Sequence, residues 1–269
     1  KHNREADARE VLSRKVSRDE DSATARRVVN EDIEHIKSDI HHFSKAEHLS
    51  YSEVISEKWD DENAWAGVTL MVLRELTGIS VLQAYGVLIL YEKGFSEEHA
   101  IFTNLLAIGA AILGQAIAGY MTDRSRRMPL MLGAFGCCVA MFLMVIGTSG
   151  IEEVHSRGLL VAGFILFRTC FGMSYGPLSW TVASEMFRGP YRSKLFSICS
   201  AMRQIASILV LSSFFTIEER VGTSGVFAMY FGACFVGLIF CVMKIPDLAN
   251  QRLGSQAYLV VDPQDEEER

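Results

Sequence analysis

Residues 101–149 read IFTNLLAIGAAILGQAIAGYMTDRSRRMPLMLGAFGCCVAMFLMVIGTS, two long apolar stretches joined by the basic hinge Asp123-Arg124-Ser125-Arg126-Arg127. A helix on the surface of a soluble domain is apolar along one stripe and polar on the other face. These two stretches have no polar face. Each is long enough to cross a bilayer core of about 30 Å, which takes about 20 residues at about 1.5 Å per residue. Working outward in both directions, stretches of the same kind run approximately over Ala64–Leu90, Ile101–Met121, Pro129–Ser149, Gly158–Val182, Leu195–Ile217 and Gly225–Met243. One such stretch can be the core helix of a soluble domain, but six in succession, with hinges of a few polar residues, cannot. The stretches are continuous rather than alternating, so they predict helices and not barrel strands. The expected fold is an all-α integral membrane protein with six transmembrane helices.

The charges agree with this division. The chain has 269 residues, a net charge of −6 and a mean hydropathy of +0.19. Residues 1–63 hold 27 of its 58 charged residues and residues 245–269 hold 8, so only 23 lie in the 181 residues between. Three regions follow: a polar head over 1–63, a bundle over 64–244 and an acidic tail over 245–269. The head predicts two polar helices, over 6–16 and 23–39, the second carrying the apolar stripe Val28, Val29, Ile33, Ile36 and Ile40, with Ser22 or Thr24 as its cap.

Lys and Arg in short loops accumulate on the cytoplasmic side of a membrane. The second and fourth hinges carry Arg124, Arg126, Arg127 and Arg188, Arg192, Lys194, whereas the first, third and fifth carry one base each: Lys93, Arg157 and Arg220. The even hinges are therefore expected inside, and with six spans both chain ends are expected to be cytoplasmic.

Several function classes drop out. The acidic balance leaves no basic face for nucleic acid. The six cysteines (Cys137, Cys138, Cys170, Cys199, Cys234, Cys241) lie inside apolar runs without a C-x-x-C pair and read as small buried fillers. His35, His41, His42 and His48 lack the Cys partners or tight spacing of a metal site and read as solvated, so neither a metal nor a cofactor is expected. No H-E-x-x-H, G-x-S-x-G or paired intramembrane Asp points to an enzyme. No signal peptide is recognised at the start of the chain.

The punctuation of the spans resembles a known family, the sugar-porter branch of the major facilitator superfamily, in its C-terminal half. Glu185-Met-Phe-Arg-Gly-Pro-Tyr-Arg192 resembles the E-x-F-x-x-x-x-R stretch after the fourth helix of that half, and Tyr175-Gly176-Pro177-Leu178-Ser179-Trp180 resembles the G-P-x-x-W break before it. Leu76-Thr77-Gly78-Ile79 is similar to L-[ST]-G-I in the first helix. Asp123-Arg124-Ser125-Arg126-Arg127 is similar to the D-R-x-G-R-R loop without its glycine. Pro246-Asp247 resembles the beginning of P-E-[ST]-[KR]-G, from which Leu248, Ala249 and Asn250 depart. Glu5–Leu12 and Ala25-Arg26-Arg27 resemble the cytoplasmic helices joining the two halves. The resemblance covers about residues 4–252.

It implies a carrier of a small solute by alternating access, most simply of the plasma membrane. The partners it implies are the lipid bilayer, the solute, and an N-terminal six-helix half in the same longer chain or in a second subunit. It also implies a cytoplasmic charge latch formed by Asp123, Arg126, Arg127, Glu185 and Arg192, and a hinge at Gly176-Pro177. Trp180 reads either as an aromatic that stacks on a solute or as part of the interface belt.

Arg74, Glu75, Arg168 and Arg203 fall near the middle of their spans, where a charge facing lipid costs at least about 2.5 to 3.5 kcal/mol, so they must pair or line a wet cavity. A structural bridge from Glu75 to one arginine is one reading. Three arginines against one acid also describe a cavity with room for an anionic group. Glu75 is the intramembrane acid available to carry a proton. In hexose carriers of the family, Gln-Gln precedes L-[ST]-G-I and Asn follows it. Here Arg74, Glu75 and Ser80 stand there, Gly172 replaces the Glu before the break, and Arg203-Gln204 replaces the Asn-Trp of the fifth helix. The expected solute-binding residues are Arg74, Glu75, Ser80, Tyr85, Trp180, Arg203 and Gln204. Guanidinium donates hydrogen bonds but accepts none, unlike the amides that bind sugar hydroxyls. The expected solute is therefore sugar-like or a small organic molecule, and not an ordinary neutral hexose. The rival reading is a membrane solute sensor or regulatory half-transporter that has lost transport.

Overall fold

The computed structural model describes residues 50–58, 62–122, 125, 127–149, 153–187 and 191–245. The helices expected over 6–16 and 23–39, the charged hinge residues Asp123, Arg124, Arg126 and Arg188, and the acidic tail lie outside the described residues. Eight helices follow in chain order: α1 Tyr51–Lys58, α2 Glu62–Leu76, α3 Ile79–Glu92, α4 Glu97–Thr122, α5 Arg127–Thr148, α6 Glu153–Met173, α7 Leu178–Met186 and α8 Arg192–Lys244. No strand occurs among the described residues.

The six expected runs are all helical, but they are not six separate rods. Among the described residues five helical segments are long and apolar enough to cross a membrane, because the last two runs are merged in α8. Its 53 residues would extend about 80 Å if straight, far more than the bilayer core. Instead the segment doubles back. Leu195 near its start shares a buried cluster with Ala64, and Lys244 at its end reaches Glu62 at 3.4 Å, so both ends meet the start of α2. The reversal falls at Gly222, whose φ of 73° and ψ of 165° lie in a region that essentially only glycine occupies. Nothing crowds this position, so backbone conformation and not space requires the glycine. At that end Ser224 Oγ donates to the carbonyl of Val145 at 3.2 Å and ties the turn to α5.

Two other spans are broken in mid-course. α2 passes to α3 through Thr77-Gly78, with Gly78 in the left-handed region at φ 83° and its α-carbon facing the Tyr230 ring. α6 passes to α7 through Ser174–Pro177, where proline cannot donate a backbone bond. In hydrocarbon every freed backbone group needs a partner. Around the first break Thr77 Oγ1 donates to the Arg74 carbonyl at 2.7 Å, and around the second Ser174 Oγ donates to the Cys170 carbonyl at 2.8 Å.

α6 lies at the middle of the bundle, against both α4 and α5. Small residues allow the approach. A side chain at Gly172 would strike the Ala111 backbone, one at Gly114 the Thr169 carbonyl, and one at Gly163 the Ala140 carbonyl at 2.9 Å. Dispersion and close backbone contact hold membrane helices together in this way, since lipid removes the hydrophobic drive. The outward faces remain apolar: Phe102, Leu105, Leu113 and Ile117 of α4 and Leu209, Phe235 and Val236 of α8 are all exposed. Water does not tolerate such a surface at this extent, whereas lipid does.

Candidate functional site

The two broken spans meet at mid-depth. Arg74 and Glu75 belong to the last turns of α2, Ser80 to the first turn of α3, Trp180 to α7, and Arg203, Gln204 and Ser207 to the first arm of α8. Glu75 is 1% exposed and stands at the centre. Its Oε1 accepts from Arg74 at 2.7 Å and from Arg203 at 3.1 Å, and its Oε2 accepts from Ser80 Oγ at 2.5 Å. Ser80 Oγ in turn lies 2.8 Å from Ser207 Oγ, and Arg203 donates to Gln204 Oε1 at 2.6 Å. Both guanidiniums also cover the Trp180 ring, at 5.8 Å for Arg74 and 5.4 Å for Arg203, and Trp180 tilts against Phe196. Each cation thus gains a carboxylate and a ring face against the cost of its desolvation, while Arg203 Nε is left buried without a hydrogen-bond partner. Arg74 Nε additionally donates at 2.9 Å to the Tyr175 carbonyl, which the break between α6 and α7 exposes.

Six of the seven expected solute-binding residues therefore form one connected cluster. Tyr85 does not join it. Seven residues past Gly78 on α3, its ring stacks on Phe214 at 5.5 Å and tilts on Phe215 at 4.8 Å, as part of the apolar packing between α3 and α8.

Beside the cluster opens a cavity of about 340 Å³, bounded by α2 and α3, α4, and the break after α6. Its polar walls are Arg74, Gln83, Gln115 and Arg168, and Gly172, Gly176 and Pro177 form the side where the helix is interrupted. The sequence sets Arg168 at mid-depth among the arginines that must pair or line a wet cavity, though outside the expected solute-binding set, and Gln83 and Gln115 were overlooked. The signal was present: these are amides inside apolar runs, and each both donates and accepts.

At the end of the bundle where α2 begins, Arg127 donates at 2.6 Å to the carbonyl of Val242, bridging α5 to the end of α8. Glu185 stands in the last turn of α7 and Arg192 is the exposed first residue of α8. Asp123 and Arg126 of the expected latch lie outside the described residues.

A family model described as "Sugar (and other) transporter" matches residues 1–259. The chain is 27% identical over 191 residues to the facilitated trehalose transporter Tret1 of Culex quinquefasciatus, covering 68% of this chain and 36% of that protein. It is 25% identical over 198 residues to the glucose transport protein of Synechocystis sp., covering 70% of this chain and 42% of that protein. The match thus takes in about two fifths of the length of these relatives or less. In fold it resembles the proton:xylose symporter XylE bound to 6-bromo-6-deoxy-D-glucose, a major facilitator superfamily protein, with a TM-score of 0.71 at 18% identity over 87% of this chain and 49% of that one.

Proposed function

The chain belongs to the sugar (and other) transporter family, and from that premise we propose that it is the C-terminal six-helix bundle of a solute carrier. It works by alternating access, rocking against an N-terminal six-helix half that belongs to the same longer chain or to a second subunit. The observation that carries the reading is the cavity of about 340 Å³ beside two interrupted spans. Carriers bind solute near the bilayer midplane where discontinuous helices release backbone groups, and Thr77-Gly78 and Ser174–Pro177 are interruptions of that kind. Relatives named for trehalose and glucose support a sugar-like or small organic solute.

Specificity differs from that of an ordinary hexose carrier. Arg74, Glu75, Ser80, Arg203 and Gln204 form an ion-paired cluster where hexose carriers of the family present amides, and Trp180 is covered by two cations. Asp123, Arg126, Arg127, Glu185 and Arg192 act as the cytoplasmic latch, with Gly176-Pro177 as hinge. Exposed ion pairs contribute only about 0 to 1 kcal/mol each, a scale suited to contacts that break and reform in every cycle. The membrane is the plasma membrane, with both ends of the bundle cytoplasmic.

The test is counterflow in proteoliposomes of the full-length protein, after its size in native membranes has been read with an antibody against residues 1–63. A band near twice 30.0 kDa identifies the second half within the same chain, and one at 30.0 kDa directs the search to a second subunit. Saturable exchange of a small polar solute is the expected result. Saturable glucose uptake that is abolished by Arg203→Ala would count against the altered specificity. Solute-dependent protection from heat without any flux would favour a sensor.

A further inference from the structure

Arg168 is 8% exposed on α6, and its Nε has no hydrogen-bond partner. Among the described residues no carboxylate forms an ion pair with it. Glu75, the acid at mid-depth in the bundle, already has both oxygens engaged by Arg74, Arg203 and Ser80. The remaining acids of the described spans stand at their ends: Glu62 and Glu185 at one, Glu92, Glu97, Glu98, Glu153, Glu218 and Glu219 at the other. Arg168 is thus a buried cation whose charge the described bundle does not balance, and it lines the cavity that also presents Gln83 and Gln115. A charge at this depth persists only against a counter-charge or in a polar cavity. The guanidinium fork matches the two oxygens of a carboxylate or phosphate, and the two amides are suited to the hydroxyls of the same molecule.

We infer that Arg168 is the anion-binding residue of this cavity, and that the solute is a polyhydroxylated molecule bearing a carboxylate or phosphate. The inference rests on the carrier reading and names its substrate class. The competing occupants are an acid of the N-terminal half and an anionic lipid headgroup.

The experiment is thermal unfolding of the full-length protein in neutral detergent, with D-glucuronate, D-glucose 6-phosphate, D-glucose or phosphatidate added, repeated on Arg168→Gln and Arg168→Lys. One of the two sugar anions is expected to raise the melting temperature, and glucose is not. In Arg168→Gln the apparent affinity falls about thirtyfold or more, the loss that follows from removing one partner of a buried charged pair. Arg168→Lys keeps part of it. Without solute Arg168→Gln melts no lower than the parent, because an unbalanced buried cation has been removed.

Equal protection by glucose, protection by phosphatidate alone, no protection by any of the four, or an anion affinity unchanged in Arg168→Gln would overturn the inference. So would a lower solute-free melting temperature in Arg168→Gln, which would assign the counter-charge to the other half. Counterflow separates this inference from the reading beneath it. Flux of a neutral solute without binding of either sugar anion leaves the carrier standing and removes the anion site. Protection by D-glucuronate with no flux of any solute does the reverse.

Discussion

Glu75 holds three groups from two spans with two oxygens, and its neutralisation is the most informative single change in the cluster. Glu75→Gln keeps the volume and leaves Arg74 and Arg203 facing one another around Trp180 without a counter-charge. Breaking a buried ion pair by removing one partner costs about 3 to 5 kcal/mol, chiefly the desolvation of the charge left behind. The expected outcome is a large fall in melting temperature of the purified protein. Ser80→Ala removes one hydroxyl between Glu75 and Ser207 and is expected to cost about 1 kcal/mol. A Glu75→Gln variant as stable as its parent would mean that the two guanidiniums are neutralised by some other group.

The spans are shaped by the places where the helices stop. Gly78 combines a left-handed backbone with an α-carbon against the Tyr230 ring, so any side chain there is strained twice. Gly78→Ala is expected to destabilise the protein by about 1 to 3 kcal/mol and to lower its melting temperature, since both the φ penalty and the displaced ring must be absorbed. Gly172 faces a different constraint. It brings α6 onto the backbone of α4 at Ala111, and Gly172→Leu is expected to separate those helices and reduce the yield of folded protein. A chromatographic profile and melting curve identical to the parent would show that α4 is free to move outward. Both positions border the cavity or the ionic cluster, so the same small residues that let the bundle pack also shape the space it offers a solute.

At the scale of the whole molecule the six crossings alternate. Ser96 lies exposed between α3 and α4, and Ser193 lies exposed at the start of α8, at opposite ends of the bundle. Cys137, Cys138, Cys199, Cys234 and Cys241 are buried and Cys170 is half-buried, so introduced thiols stand out against a low background. In sealed right-side-out vesicles a membrane-impermeant maleimide is expected to label Ser96→Cys but not Ser193→Cys, which should react only after permeabilisation. The reverse pattern would invert the orientation drawn from the basic hinges. The surface is asymmetric: α4 and α8 present long apolar faces, while the polar cavity opens between α2, α3, α4 and the break after α6.

What could be read directly from the chain was whatever depends on composition over a bilayer's length. Uninterrupted apolar runs with charged punctuation require spans, because water-exposed apolar surface and lipid-exposed charge are both costly, and neither cost depends on how the helices are arranged. The placement of Arg74, Glu75, Arg168 and Arg203 at mid-depth followed from the same counting. Tertiary packing alone decided which of these charges balance. Arg203 reaches Glu75 from 128 residues away, Tyr85 turns into an aromatic stack, and Arg168 is left facing a cavity with Gln83 and Gln115. Each of those outcomes depends on the rotation of one helix about its axis against another. That rotation is set by where glycine permits contact and where Gly78, Pro177 and Gly222 interrupt the helical path, so it arises only once the spans are packed.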